Sequence, residues 1–133
     1  MPDKIQFELV SPAKLLISAA VDMVVVPGSE GDFGALARHA PMIATVRPGV
    51  IDVHDGGKVS DTIFVAGGFA EVTEERITVL AEEAMPVADI TKALAETRVK
   101  AAKQAMADAK SDLEKASAEK LMAVATAMDA VAH

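Results

Sequence analysis

The hydrophobic pattern of the chain changes its period once. Ile5, Phe7 and Leu9 alternate with Gln6 and Glu8, the two-residue period of a strand with one face in a core. Residues 15–20 and 23–26 are apolar runs of strand length, broken at Asp22. Residues 50–54 and 59–66 flank Asp55-Gly56-Gly57-Lys58, a tight hairpin signal. Residues 69–73 and 77–80 flank a second short connection, Glu74-Glu75-Arg76. Pro27-Gly28, Arg47-Pro48-Gly49 and Gly67-Gly68 punctuate the rest. Many short strands separated by turn signals predict an antiparallel sandwich or barrel.

Past Pro86 there is no further Gly or Pro, and Ala, Lys, Glu and Met take over. This is helix chemistry. Asp89 is expected to cap a first helix, with Ile90, Leu94, Ala101 and Ala105 near one face. Ser111-Asp112-Leu113-Glu114 has the form of a capping box and predicts a second start; one continuous helix is the alternative. Leu121, Val124, Met128 and Val131 recur at spacings of three and four, which predicts an apolar seam. An antiparallel hairpin would bury both seams. The expectation is an α+β chain: a β-sandwich over 1–87 and a two-helix hairpin over 88–133.

Charge sharpens this division. Residues 1–87 carry six Lys or Arg against thirteen Asp or Glu, whereas residues 88–133 carry seven of each. An acidic body argues against binding phosphate backbones or anionic lipid. The absence of Trp and Tyr, with only four Phe, leaves little for base stacking. Nucleic acid is therefore excluded as an expected partner. The 133 residues contain no Cys, so disulfides and Cys-based metal sites are excluded. No apolar run approaches the roughly 20 residues of a membrane span, and direct membrane insertion is not expected. The start at Met1-Pro2-Asp3 shows no signal-peptide or transit-peptide pattern.

Candidate chemistry is sparse. Gly28-x-x-Gly31-x-x-Gly34 resembles a phosphate cradle, but lacks the Lys-Ser/Thr of a P-loop and carries Glu30 and Asp32. An acidic exposed loop is the expected form. Asp52, His54 and Asp55 invite a metal reading, yet no second internal His lies at ligand spacing, and a solvated strand end is expected instead. Ser11, Ser18, Ser29 and Ser60 have no neighbouring His. Catalytic residues, metals and cofactors are therefore not expected. Lys100, Lys103 and Lys110, at spacings of three and seven, predict a basic stripe on one helix face.

Several motifs occur together in order. Pro27-Gly28-Ser29-Glu30-Gly31-Asp32-Phe33-Gly34 is followed by His39-Ala40-Pro41 and Arg47-Pro48-Gly49. Gly67-Gly68-Phe69-Ala70-Glu71-Val72 and Val79-Leu80-Ala81-Glu82-Glu83-Ala84 come further on. With the opening Phe7-x-Leu-Val-Ser-Pro, the set strongly resembles the ε-subunit family of F-type ATP synthases. The resemblance covers the whole chain and is most specific through Ala84.

The resemblance implies a roughly ten-stranded sandwich followed by two helices. It implies a non-catalytic central-stalk subunit that binds the γ subunit and the c-subunit ring and couples proton flow to ATP synthesis. It assigns partner contacts to Glu30, Gly31, Asp32, Phe33, His39, Ala40, Pro41 and Met42. It also implies helices that reach the catalytic α/β hexamer and inhibit ATP hydrolysis, where the basic stripe would meet an acidic surface. Some members bind ATP through a motif whose counterpart here is Ile90-Thr91-Lys92-Ala93-Leu94-Ala95. Ile90 and Ala95 fit, but Thr91 replaces an Asp and Leu94 an Arg, so weak or absent ATP binding is expected. The implied location is peripheral, on the cytoplasmic face of a bacterial inner membrane. A free-standing small-molecule-binding sandwich with a helical oligomerisation hairpin would explain the elements but not the ordered motifs.

Overall fold

The computed structural model describes residues 3–133. Met1 and Pro2, which fall in the expected sandwich over 1–87, lie outside the described residues. Ten strands come first: β1 (Ile5–Val10), β2 (Leu15–Val21), β3 (Met23–Gly28), β4 (Gly31–Ala35), β5 (Met42–Val46), β6 (Gly49–Asp55), β7 (Lys58–Val65), β8 (Gly68–Val72), β9 (Arg76–Ala81) and β10 (Ala84–Pro86). A 3-10 turn, Val87–Asp89, leads to α1 (Lys92–Asp108) and α2 (Asp112–Val131). The chain divides after Pro86 into two compact units.

The first unit is a β-sandwich. Its hydrogen-bonded order is β10-β7-β6-β3-β5-β8-β9-β1-β2, with β4 paired to β3. The link between β3 and β5 is a single pair, Gly28 with Val46. There the sheet folds over, and the two halves enclose one core. Alternation along β1 sends Ile5, Phe7 and Leu9 inward, where they meet Val24 and Val26 of β3, Ile51 and Val53 of β6, and Ile77 and Val79 of β9. The expected antiparallel pattern has one exception: β1 and β9 run parallel, Phe7 facing Ile77.

Asp55-Gly56-Gly57-Lys58 forms the expected hairpin turn, with Asp55 paired to Lys58. The turn is tied to the sandwich. Asp22 accepts from the Gly56 amide at 2.9 Å, and the Lys4 ammonium donates to Asp55 Oδ1 at 2.7 Å. The hydrogen bond to Asp55 chiefly raises the Lys4 pKa; desolvation opposes it, and the charges of Asp55 and Asp22 add to it. A raised lysine stabilises the fold fully below its ordinary pKa and loses that contribution as pH rises through the folded value. Thermal unfolding across the alkaline range should show the wild type losing stability more steeply than Lys4→Met. Identical slopes would contradict this role.

In the second unit, α1 and α2 pack on each other. Three expectations change here. The cap of α1 is Thr91, whose Oγ1 accepts from the Leu94 amide at 3.1 Å; Asp89 lies in the preceding 3-10 turn. The capping box of α2 is half as drawn. Ser111 Oγ accepts from Glu114 N at 3.1 Å, but Glu114 reaches back to the Lys110 amide, at 2.9 Å. The seams are alanine seams. Ala95 and Ala102 of α1 and Ala118, Ala125 and Met128 of α2 are buried, whereas Ala101 and Leu121 are exposed. Leu94, Ala105, Val124 and Val131 are half-buried. Small side chains at seven-residue spacing let two helix backbones approach closely, and a bulky side chain at the same depth would hold them apart.

Candidate functional site

The Gly28-to-Gly34 stretch is not a loose loop but the tip of the β3–β4 hairpin. Gly28 pairs with Gly31, leaving Ser29 and Glu30 as the exposed turn, and β4 resumes at once with Asp32 opposite Pro27 and Phe33 opposite Val26. The hairpin is tight because of Gly28. A Cβ there would stand 2.6 Å from the Gly31 carbonyl oxygen and 3.1 Å from the Phe33 ring. Phe33 is half-buried and packs against the sandwich core, so it fills the base of the tip rather than projecting from it.

Arg47 braces this tip from just beyond β5. Its Nη1 donates to the Gly28 carbonyl at 2.5 Å, and its Nη2 to Asp32 Oδ1 at 2.6 Å. Its backbone amide donates to the Pro27 carbonyl at 2.9 Å, and Ser29 N donates to Thr45 O at 2.8 Å. Glu30, Gly31, Asp32 and Phe33 line one groove of about 510 Å3 together with Met42 and the next three residues of β5. Five of the expected contact residues thus converge.

The other three do not line it. His39, Ala40 and Pro41 run through the β4–β5 connection. His39 Nδ1 donates to the Ala40 carbonyl at 2.7 Å. The connection starts with a turn closed by His39 N to Leu36 O at 3.1 Å, in which Arg38 takes a φ of 68°. The Arg38 amide donates to Glu74 O at 2.7 Å, and its guanidinium pairs with Asp3.

A second surface was not anticipated from the sequence. On the outer side of β5-β8-β9-β1-β2, the registers place Phe69 beside Leu80, Leu80 beside Val10, and Val10 beside Leu15. Phe69 is 57% exposed, Leu80 53% and Leu15 54%; on the neighbouring β5 the row meets Thr45, opposite Phe69, while the exposed Ile43 stands opposite Glu71 in the next row. Apart from Ile43 that next row is polar, running Glu71, Thr78, Glu8 and Ser18. Phe69 and Leu80 occupy the out-facing phase of strands whose in-facing residues are core, and a register shift between Leu9 and Val10 brings Leu15 opposite Val10. Single exposed apolar residues are ordinary, but a contiguous row is the mark of a docking face.

In the helical unit, Lys100 and Lys103 are exposed on α1. Lys110 lies past the helix end at Asp108, so helical spacing does not place it on their face. Ile90 and Ala95 are buried, and Leu94 is half-buried. Among the described residues, no group of three His, Cys, Asp or Glu side chains could hold a metal ion, and no helix is long and apolar enough to cross a membrane.

The family model described as ATP synthase, Delta/Epsilon chain, beta-sandwich domain matches residues 4–87. The chain is 75% identical over 130 residues to the ATP synthase epsilon chain of Paramagnetospirillum magneticum, covering 98% of both chains. The chain belongs to the ATP synthase epsilon chain family. The epsilon chain of Rhodospirillum rubrum is 54% identical over 128 residues, 96% of each chain. Among solved structures, the fold is similar to a chain of the Euglena gracilis mitochondrial ATP synthase (OSCP/F1/c-ring in rotational state 1). The TM-score is 0.79 at 24% identity, over 100% of this chain and 84% of that one. A chain of the Tetrahymena thermophila mitochondrial ATP synthase central stalk and c-ring gives 0.75 at 12% identity, over 99% and 98%. At these identities the likeness concerns the fold alone. With the epsilon family established, the small-molecule-binding alternative loses its support.

Proposed function

We propose that this chain is a rotor subunit of an F-type ATP synthase that catalyses nothing itself and couples proton flow to ATP synthesis by joining two partners. The outer face of β8-β9-β1-β2 docks on the γ subunit, and the β3–β4 tip with the adjoining β5 meets the c ring. The observation that carries this is the separation of two unlike surfaces on one sandwich: an apolar row suited to a stable partner, and an acidic tip suited to polar or basic loops. His39, Ala40 and Pro41 join the partner contact from the adjoining connection. The subunit sits peripherally on the cytoplasmic face of a bacterial inner membrane. Residues 88–133 are regulatory: Lys100, Lys103 and Lys110 offer positive charge to the catalytic α/β hexamer, restraining ATP hydrolysis.

The sandwich has its own core, so a chain ending after Val87 should fold, assemble with γ and support proton pumping, with hydrolysis less restrained. A folded truncated chain that fails to bind γ would move the coupling contacts into the helices.

ATP binds weakly or not at all. Leu94 offers no charged donor, and the Thr91 hydroxyl already accepts from the Leu94 amide as the helix cap. Loss of two charge-assisted contacts, roughly 1.5–3 kcal/mol each, weakens affinity by two orders of magnitude or more. Calorimetric titration with Mg-ATP should show no saturable binding at micromolar concentration. One-to-one micromolar binding would refute this.

A further inference from the structure

We infer that Asp55-Gly56 is the step at which this chain isomerises to isoaspartate, and that Lys4 and Asp22 form a clasp that holds the step in its ordinary form.

The sequence leaves one place for this chemistry. The chain has no Asn, and Asp55-Gly56 is its only Asp-Gly step. A glycine amide is the least hindered nucleophile that can follow an aspartate, because no Cβ shields its nitrogen. The reaction balances without oxidant or cofactor. The Gly56 nitrogen attacks the Asp55 side-chain carboxyl carbon; a C–N bond forms, a C–O bond breaks, and the amide proton leaves with the carboxyl hydroxyl as one water. The five-membered ring then takes one water back. Opening at the side-chain carbonyl restores aspartate. Opening at the backbone carbonyl routes the main chain through the Asp55 Cβ, at unchanged mass.

The turn itself offers little resistance. Gly56 and Gly57 are exposed, with φ of 65° and 79°, and an added Cβ on either would meet no other part of the fold within 4 Å. The restraint comes from outside the turn. The Lys4 ammonium donates to Asp55 Oδ1 at 2.7 Å, and the carboxyl must leave this bond to fold onto its own following amide. Asp22 accepts from that amide at 2.9 Å. A carboxylate is too weak a base to remove an amide proton, so this bond keeps the nitrogen a donor rather than a nucleophile. Lys4 also lies 4.0 Å from Asp22, so one ammonium serves both carboxylates. The hydrogen bond to Asp55 is the largest influence on Lys4 and raises its pKa, which makes the ammonium a reluctant source of the proton that the departing oxygen needs. Pairing with Lys58 fixes the Asp55 backbone as well. Isomerisation therefore waits for the turn to open. Once made, the extra main-chain carbon takes Asp55 out of register with Lys58 and away from Lys4, so the clasp cannot close again.

The test is incubation of the full-length chain at neutral pH over weeks. Isoaspartate is counted by enzymatic carboxyl methylation and located by mapping the peptide that ends at Lys58. Thermal melting confirms that each variant is folded. The folded wild type should form isoaspartate about tenfold more slowly than the same chain unfolded in urea. Lys4→Met and Asp22→Ala should each raise the folded rate about threefold or more. Adding Gly56→Ala to either should abolish the gain, because the new Cβ hinders the nitrogen. The inference falls if the folded wild type isomerises as fast as the unfolded chain, or if either folded variant is no faster than the wild type. It falls equally if the isoaspartate persists with Gly56→Ala or maps to another peptide.

Discussion

Gly68→Ala should unfold the sandwich at far lower temperature than the wild type. Gly68 opens β8 with a φ of 144°, outside the range of ordinary L residues. A Cβ there would overlap the Leu80 carbonyl oxygen and press on the Ala81 Cα at 3.1 Å. Both obstacles are backbone, held by the β8–β9 ladder in which Gly68 faces Ala81 and Phe69 faces Leu80. No rotamer change relieves them, so the two strands must part where β8 begins. Backbone strain and lost pairing together cost roughly 3–5 kcal/mol, which lowers the midpoint of a domain this size by about 12 °C or more. Gly57→Ala is the contrast. Its φ is 79°, but nothing stands within 4 Å of the new Cβ, so it should cost only about 1–2 kcal/mol. Calorimetry of both variants checks the pair; equal losses would mean that close approach, as distinct from φ, contributes nothing at Gly68.

Phe69→Asp should abolish tight binding to γ while leaving the melting temperature nearly unchanged. The side chain is more than half exposed, so its loss opens no cavity. In the complex it would be the aromatic anchor of the apolar row, flanked by Leu80. Truncating such an anchor typically costs 2 kcal/mol or more, about thirtyfold in affinity, and a buried charge adds to this. Leu80→Asp should act alike. Val59 of β7 is also exposed but stands apart from the row, so Val59→Asp should bind γ normally. Affinity measured against purified γ decides it. Equal weakening by Val59→Asp and Phe69→Asp would show that the row is not a specific face.

These surfaces were unevenly legible in the sequence. The alternation of β1 announced its inward side chains, because a half-buried strand must repeat every two residues. Gly56-Gly57 announced its turn for a similarly local reason. β4 was hidden: Gly31-Asp32-Phe33-Gly34-Ala35 has no β-branched residue, and its strand form comes from pairing with β3. The helical seams are partly legible: Ile90 and Met128 are buried as their spacing predicts, whereas Ala101 is exposed. Leu121 is exposed and Ala118 buried, since close packing selects small residues. Thr91 and Asp89 are both good capping residues, and only the placement of the first turn separates them. The apolar row lay outside any local pattern, because Leu15, Val10, Leu80 and Phe69 are joined by register across four strands. The Arg47–Asp32 tie spans 15 residues and needed the fold-over at Gly28 and Val46 to appear.

The central claim is that this chain works as a part of the rotor. The most direct measurement is co-purification: the tagged full-length chain, expressed in its native membranes, is extracted in mild detergent and its partners identified. The account predicts that γ and the c ring arrive with it in fixed ratio, and that γ is lost with Phe69→Asp. Recovery of the chain alone, or only as copies of itself, would contradict it.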